Sequence, residues 1–281
     1  MGAHSSLPAS DFSVPASNVA ARLGTPDAPV IIDVRRRELI EQSGKLVPAA
    51  QTRDAYEAPQ WAGALDRARE HALICAHGHE RSQYATAALR ECGLRAFMIE
   101  DGYDGWERAG CAQISRVANG VTLGDQPTVW VTRRRPKIDR IACPWLISRF
   151  LDARAQFLFV DPDHVLATSE ATGAVAYDLP GAPFEHDGAL CSFDTMLRAF
   201  GLGDDAALSA LAEIVRGADT NRHDLTPQSA GLLAISLGLS ASCGDDDHAM
   251  LKKGFVLYDG LFAWIRHARG ESHSWPRPAT N

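Results

Sequence analysis

The chain has 281 residues, a formal net charge of −7 and a hydrophobic fraction of 46%. This length favours two domains over one, and the acidic balance argues against nucleic acid as a partner, because surfaces that neutralise phosphates are usually basic. No apolar run is long enough to cross a membrane, and the N-terminus lacks the features of a secretory signal. The six cysteines are scattered without a CxxC pair, so we expect reduced thiols, a cytoplasmic location and no membrane partner.

Residues 17–116 alternate short apolar runs with helical stretches, which predicts an α/β domain with a parallel sheet flanked by helices. Strands are predicted at APVIIDVR, ALICAHG and RAFMIEDG, and helices at SNVAARL, QWAGALDRAREHA, SQYATAALRECG and YDGWERAG. Residues 1–16 are predicted to be a flexible leader. Residues 117–126 contain many turn-forming residues and are predicted to be a linker.

Residues 127–270 are predicted to form a second, mainly helical α+β domain, with a tail at 271–281. Its strands are predicted at TVWVTRRRP, AQFLFVD and AVAYDLP. Its helices are predicted at CPWLISRFLD, SFDTMLRAFG, AALSALAEIVRGAD, PQSAGLLAISLGLSAS and HAMLKKGFVLYDGLFAWIRHA.

Cys75 stands at the end of a predicted buried strand, just before a predicted helix. The loop between them wraps the helix N-terminus, where backbone N–H groups and the helix dipole favour an anion, and cysteines in such places react as thiolates. This arrangement predicts an activated sulfur nucleophile. The alternative is that Cys75 is a small buried hydrophobic residue at a strand end. The predicted active-site loop after Cys75 consists of Ala76, His77, Gly78, His79, Glu80 and Arg81.

Three motifs in residues 17–110 together resemble a rhodanese domain: Asp33-Val34-Arg35 after VII, the Cys75 loop HGHERS, and IEDGYDGW. The resemblance implies a sulfurtransferase in which Cys75 takes sulfane sulfur as a persulfide from a donor such as thiosulfate. The persulfide then passes to a thiophilic acceptor, and no cofactor is required. The resemblance also implies that Asp33 and Arg35 support the loop.

The spacing from Cys75 to Arg81 is Cys-x5-Arg, one residue longer than the commonest sulfurtransferase loop. This length resembles the phosphatase and arsenate-reductase branch of the same fold, in which the pocket holds a tetrahedral oxyanion. An oxyanion reductase or phosphatase acting on chromate, arsenate or a phosphoester is therefore the first alternative.

Long blocks of the second half resemble the C-terminal domain of the chromate-resistance protein B family over about 127–270, among them WVTRRRPKIDRIACPWLISRFLD, FEHDGALCSFDTML and VLYDGLFAWIRH. The resemblance implies a role in chromate, oxyanion or thiol stress, with chromate as a further ligand. Some members act in chromate-sensing regulation, which leaves a non-enzymatic chromate- or metal-responsive sensor as the second alternative. No helix-turn-helix pattern is visible in this chain.

Two groups in the second half are predicted to do chemistry. His186, Asp219 and His223 form a two-His, one-carboxylate set that suits Fe, Zn or Mn, with Asp219 and His223 four residues apart. The alternative is that Asp219 belongs to a helix end and that His223 is exposed. The basic run Arg133, Arg134 and Arg135 is predicted to attract an oxyanion or, alternatively, to be a solvated strand end, and Asp139 is expected to cap the next helix.

Overall fold

The computed structural model of the chain describes residues 12–271. Most of the predicted leader and nearly all of the predicted tail lie outside the described residues. Among residues 12–271, no helix is both long and apolar enough to span a lipid bilayer.

The N-terminal unit is built on a five-stranded parallel sheet with the strand order β1-β6-β5-β2-β4. The central strands β2 (VIID) and β5 (EHALI) are mostly apolar and largely buried, as expected for strands covered by helices on each side. Its strands are β1 (Ser13–Val14), β2 (Val30–Asp33), β3 (Lys45–Leu46), β4 (Gln51–Thr52), β5 (Glu70–Ile74), β6 (Arg95–Ile99) and β7 (Ile114–Ser115). Its helices are α1 (Ala16–Ala20), α2 (Arg37–Ser43), α3 (Ala58–Trp61), α4 (Glu80–Glu91) and α5 (Gly102–Arg108).

The predicted helix at QWAGALDRAREHA is wrong over most of its length. Helix α3 ends at Trp61, a 3₁₀ turn covers Ala62–Ala64, and strand β5 begins at Glu70. The cause is strand pairing, because β5 pairs with β6 from Glu70 opposite Arg95 onward. The last residues of the predicted helix are therefore part of a strand. Helix α2 was not predicted at all.

The C-terminal unit contains a smaller parallel sheet with the order β11-β10-β12, covered by helices. Its strands are β10 (Val129–Arg133), β11 (Gln156–Val160) and β12 (Val175–Ala176). Its helices are α6 (Asp139–Leu146), α7 (Val165–Thr172), α8 (Ser192–Ala199), α9 (Ala206–Asp219), α10 (Ser229–Cys243) and α11 (Asp247–His267), and α6 continues into a π-helical turn at Ile147–Leu151. The predicted classes, a parallel α/β sheet followed by a mainly helical α+β unit, are confirmed.

The segment predicted to be a linker folds as a short hairpin of β8 (Val117–Ala118) and β9 (Val121–Thr122), with Leu123 fully buried beside it. One continuous hydrophobic core includes this hairpin and residues of both units. The units also share hydrogen bonds, because the Ala49 N–H donates to the Phe150 carbonyl and Arg266 donates to the carbonyls of Ala21 and Leu23. The two sheets therefore belong to one packed body.

Candidate functional site

The Cys75 side chain lies at the carboxyl end of β5, under the first turn of α4, and is 5% exposed. Its Sγ atom lies 3.1 Å from Ser82 Oγ, which in turn lies 3.1 Å from the His79 carbonyl oxygen. Ser82 Oγ carries a single proton, so it can donate to a Cys75 thiolate or to the carbonyl, but not to both at once. Ser82 is thus placed to stabilise the ionised sulfur.

The loop backbone around Cys75 presents free hydrogen-bond donors. Within residues 12–271, no acceptor takes a hydrogen bond from the backbone N–H groups of residues 77–82. The first turn of an α-helix leaves its N–H groups unpaired, and the helix dipole adds a partial positive charge there. An anionic sulfur at this position therefore has several donors and a favourable field close by.

The start of α5 forms backbone hydrogen bonds with the Cys75 loop. The N–H groups of Tyr103 and Asp104 donate to the carbonyls of Cys75 and Ala76 at 2.8 and 3.0 Å. Gly78 and Gly102 both adopt positive φ, and a Cβ on Gly102 would lie 2.5 Å from the Gly78 nitrogen. Only glycines allow this close approach. The carbonyls of Cys75 and Ala76 are consequently turned toward α5, whereas the His79 carbonyl oxygen lies 3.9 Å from Cys75 Sγ.

The polar side chains of the loop mostly point away from Cys75 Sγ. The Arg81 Nε donates to the Val34 carbonyl at 2.7 Å, and its Nη2 lies 3.3 Å from Asp54 Oδ2. Glu80 accepts a hydrogen bond from the Tyr56 hydroxyl, and the exposed His77 contacts Asp104 Oδ2 at 2.6 Å. The guanidinium of Arg81 therefore ties the loop to its neighbours in this conformation.

Asp33 and Arg35 form a buried pair beside the loop. Arg35 donates Nε and Nη2 to the Asp33 carboxylate, and its guanidinium carbon lies 3.7 Å above the centre of the Tyr103 ring. Tyr103 in turn holds the Cys75 carbonyl through its N–H. The pair reaches the loop indirectly, through the aromatic ring at the start of α5.

A second polar cluster lies in the C-terminal unit, around His186. Its Nε2 atom lies 3.2 Å from Asp139 Oδ2, 3.3 Å from Asp178 Oδ1 and 3.3 Å from Asp219 Oδ2. Asp139 begins α6, Asp219 ends α9, Asp178 follows β12, and His186 lies in the connection between β12 and α8. One ligand atom from each of Asp139, His186 and Asp219 lies within 4.8 Å of the others, so these three residues could hold a metal ion.

Asp178 has cationic partners of its own. Arg133 Nη2 lies 2.7 Å and Arg140 Nε lies 3.1 Å from its Oδ2 atom. Burial by itself raises the pKa of Asp178, but the contacts with His186, Arg133 and Arg140 lower that pKa below its ordinary value. Asp178 is therefore a carboxylate whose charge is already balanced.

The other members of the cluster have strongly displaced pKa values. Hydrogen bonds to Asp139 and Asp178 raise the pKa of His186 to about 10. Burial, together with the charges of Asp139 and Asp178, raises the pKa of Asp219 to about 8, and burial also raises the pKa of Asp139. The nearby carboxylates therefore raise the pKa of the imidazole, while burial and the repulsion between like charges raise the pKa values of Asp139 and Asp219.

The structure brings together two of the three predicted metal ligands, His186 and Asp219, but it does not bring His223 to them. His223 lies beyond the end of α9, where its Nε2 is buried without a hydrogen-bond partner in the described part of the chain. The sequence analysis did not identify Asp139 as a ligand, because an acidic residue at the start of a helix is typical of a helix cap. It did not identify Asp178 at all. Spacing could not reveal these residues, since they come from separate elements.

The basic run does not form one cationic patch. Arg133 pairs with Asp178, Arg134 lies 3.1 Å from Asp161, and the Arg135 N–H donates to Asp247. Arg135 and Ile138, on either side of the turn into α6, both have positive φ. Of the three predicted arginines, Arg133 alone contacts the His186 cluster directly.

Comparison with known proteins agrees with both resemblances. Residues 130–265 match the family model described as ChrB, C-terminal domain, so the resemblance predicted for the second half is confirmed. Protein ChrB of Cupriavidus metallidurans is 34% identical over 140 residues, which cover 50% of this chain and 41% of that protein. The chain therefore spans less than half the length of this relative.

The N-terminal unit is similar to solved rhodanese-like structures. A rhodanese-related protein from Thermoplasma volcanium is 25% identical, with a TM-score of 0.32, covering 36% of this chain and 95% of that chain. A rhodanese-like domain protein from Staphylococcus aureus is 23% identical, with a TM-score of 0.30. The match covers 34% of this chain and 89% of that chain.

Proposed function

We propose that the N-terminal unit is a sulfurtransferase that carries sulfane sulfur on Cys75. We further propose that the whole chain acts in chromate, oxyanion or thiol stress. The observation that carries the first proposal is the position of Cys75 Sγ, 3.1 Å from Ser82 Oγ, beside a loop and helix start whose N–H groups at residues 77–82 have no partner within residues 12–271. A terminal persulfide sulfur is an anion, and these donors would stabilise it without any metal or cofactor.

The chemistry runs in two balanced steps. The Cys75 thiolate attacks the outer sulfur of thiosulfate, the S–S bond of thiosulfate breaks, and sulfite leaves with the bonding electron pair. Cys75 then bears a persulfide. A thiophilic acceptor such as cyanide attacks the terminal sulfur, thiocyanate forms, and the Cys75 thiolate is regenerated with the electron pair of the cleaved bond.

Two contacts favour sulfur transfer over the reductase or phosphatase alternative. Arg81 donates Nε to Val34 and Nη2 to Asp54, whereas an oxyanion pocket needs that guanidinium to face the loop centre. Cys92, the nearest thiol in sequence that could resolve an oxidised Cys75, caps the far end of the 12-residue helix α4. A helix of that length is about 18 Å long, too far for a disulfide.

Intact-protein mass spectrometry after thiosulfate treatment tests the proposal. The wild-type chain and Cys92→Ala should each gain one sulfur atom that cyanide removes as thiocyanate, while Cys75→Ala should gain none. Cys92 is the matched control, because it is a cysteine on the same helix but away from the loop. If the wild-type chain gains no sulfur while its Cys75 thiol remains free for alkylation, sulfur transfer is excluded.

A further inference from the structure

The ion-pair pattern around His186 is unusual for a structural salt bridge. Three carboxylate oxygens lie within 3.3 Å of the single atom Nε2. An imidazole nitrogen carries at most one proton, so it can donate one good hydrogen bond and not three. Several ligand atoms that converge on one point form the geometry expected around a cation.

The cations of the cluster are unevenly placed, because among the described residues neither Asp139 nor Asp219 has an arginine or lysine partner. Arg133 and Arg140 neutralise Asp178, which leaves Asp139 and Asp219. Within residues 12–271, His186 is the sole cationic side chain paired with either of these two carboxylates. Asp139 is nearly fully buried, at 2% exposure of its side chain. When both are ionised, two largely buried carboxylates that share one histidine repel each other, and a divalent ion would neutralise both.

The position in the fold also favours a ligand site. The sheet order β11-β10-β12 places the first strand between the second and the third, so the strand order reverses between β10 and β12. Ligands of open parallel sheets bind at the carboxyl ends of the strands at this switch point. Arg133 ends β10 and Asp178 follows β12, so the cluster lies at that edge.

The backbone is strained at the same place. Ile138 has φ 48° immediately before Asp139, and Asp178 has φ 57°. Positive φ is costly for a β-branched residue, and such strain tends to gather at functional sites. Both strained residues set the direction of a carboxylate toward His186. Meanwhile the His186 side chain is 40% exposed, which gives an ion a route from solvent.

We propose that Asp139, His186 and Asp219 bind one divalent first-row transition-metal ion, with Asp178 held beside it by Arg133 and Arg140. One imidazole nitrogen with two carboxylates suits Mn²⁺, Fe²⁺ or Zn²⁺, whereas Mg²⁺ and Ca²⁺ prefer oxygen ligands alone. Three protein ligands leave coordination positions open on the exposed side of His186. This site does not depend on sulfur transfer at Cys75.

Equilibrium dialysis of the EDTA-treated full chain against Mn²⁺, Fe²⁺ (without oxygen), Zn²⁺ and Mg²⁺, followed by elemental analysis, tests the site. The wild-type chain should retain one transition-metal ion and little Mg²⁺. Asp219→Asn and Asp139→Asn should weaken binding by about 10-fold or more. Asp187→Asn is the matched control, since Asp187 adjoins His186 but is exposed and pairs with Arg198. His223→Gln should also bind normally.

Thermal unfolding in EDTA separates a metal site from a structural ion-pair network. If the carboxylates are there for a metal, Asp219→Asn in EDTA should unfold at the same temperature as wild type or higher, because it relieves repulsion. It should also lose the rise in Tm that Zn²⁺ gives to wild type. A lower Tm of Asp219→Asn in EDTA, or equal metal binding by wild type and Asp219→Asn, would overturn the proposal.

A spectroscopic measurement on the wild-type chain, with Asp187→Asn as its control, covers the case in which a ligand variant does not fold. One equivalent of Co²⁺ should give a visible absorption band that Zn²⁺ displaces and that Asp187→Asn retains. The absence of any such band, or binding of Mg²⁺ as tight as that of Zn²⁺, would contradict the proposed site.

Discussion

Among residues 12–271, the Ser82 hydroxyl is the one side-chain group that forms a hydrogen bond with Cys75 Sγ. Its Oγ lies 3.1 Å from Cys75 Sγ, and both residues are buried. A net hydrogen bond of this kind is worth about 0.5–1.5 kcal/mol. If the bond stabilises the anionic sulfur, its loss should appear in the rate of sulfur transfer rather than in the fold.

We therefore expect Ser82→Ala to lower the rate of thiocyanate formation by about 3- to 10-fold. Thr86→Val is the matched control, because Thr86 lies one turn further along α4 and its buried Oγ1 has no hydrogen-bond partner among residues 12–271. Thr86→Val should leave the rate unchanged. Equal losses in both variants would mean that the Ser82 hydroxyl acts only through the stability of α4.

Asp125 gives the fold a dependence on acid. It accepts hydrogen bonds from Thr52 Oγ1 at 2.7 Å, Arg116 Nη2 at 2.8 Å and Arg37 Nη2 at 3.0 Å. Burial by itself raises the pKa of Asp125, but the bond from Thr52 and the charges of Arg116 and Arg37 lower that pKa below its ordinary value of 3.8. A carboxyl group whose pKa is lower in the folded state stabilises the fold at pH values above its pKa in the unfolded chain. This stabilisation is lost as the pH falls through the folded-state pKa.

Asp125→Asn should therefore reduce the free energy of unfolding at pH 7 by about 1–2 kcal/mol. The difference from wild type should shrink as the pH is lowered below about 4, where wild-type Asp125 also becomes protonated. Urea unfolding at a series of pH values measures this. A difference that stays constant down to the lowest pH at which both proteins fold would contradict the assigned role of the charge.

Among the secondary-structure elements, the start of α5 sets the shape of the Cys75 loop. A methyl group on Gly102 would overlap the Cys75 carbonyl oxygen, and Gly102 has φ +57°. Gly110 has a similar φ of +64°, but nothing lies within 4 Å of an added Cβ there. The two positions thus share the cost of a left-handed residue and differ in the space available.

Gly102→Ala should cost about 3 kcal/mol or more in stability, with loss of sulfur transfer, whereas Gly110→Ala should cost only about 1 kcal/mol. Denaturant unfolding and the thiocyanate assay measure the two effects. Similar costs for both variants would show that the loop moves away from α5 easily.

Helices α6 and α11 approach each other closely at Gly254. A Cβ there would overlap the side chain of Ile141, which is almost fully buried, whereas Gly260 on the same helix faces open space. Gly254→Ala should cost about 1–3 kcal/mol. Gly260→Ala should raise stability by about 0.5–1 kcal/mol, because alanine is the better helix former. The midpoints of urea unfolding test this pair, and a stabilising Gly254→Ala would mean that the helices separate without cost.

The whole molecule is expected to unfold as one unit, because its two sheets share a core. Phe150 packs against Trp145 and Phe262, and its ring fills the space beside Gly24 of the N-terminal unit. Its carbonyl accepts the hydrogen bond from Ala49. Loss of this ring removes contacts on both sides of the junction.

Phe150→Ala should cost about 3–5 kcal/mol. Alkylation of Cys75 reports on the N-terminal unit and alkylation of the buried Cys143 in α6 on the C-terminal unit, so both probes should shift to the same lower denaturant concentration. Two separate transitions, with the Cys75 probe unmoved, would show that the units unfold independently.

Three features could be predicted from the residues alone: the class of each unit, the placement of Cys75 between a strand and a helix, and the resemblance of the second half to the ChrB C-terminal domain. These features depend on hydrophobic periodicity and on motifs that are continuous in the chain. Both are local properties of the sequence, and local periodicity predicts secondary structure directly. The helix predicted before β5 was wrong because pairing of β5 with β6, a contact between distant residues, outweighed the local helical pattern.

Which polar residues come together depends on the tertiary structure. Asp139, Asp178, His186 and Asp219 come from four places along the chain and converge because the ends of β10 and β12 and of helices α6 and α9 lie together. The spacing of Asp219 and His223 suggested a shared ligand site, but α9 ends at Asp219, so the two side chains no longer follow one helical face. The direction of Arg81 was likewise undetermined, since its partners, Val34 and Asp54, are distant in sequence.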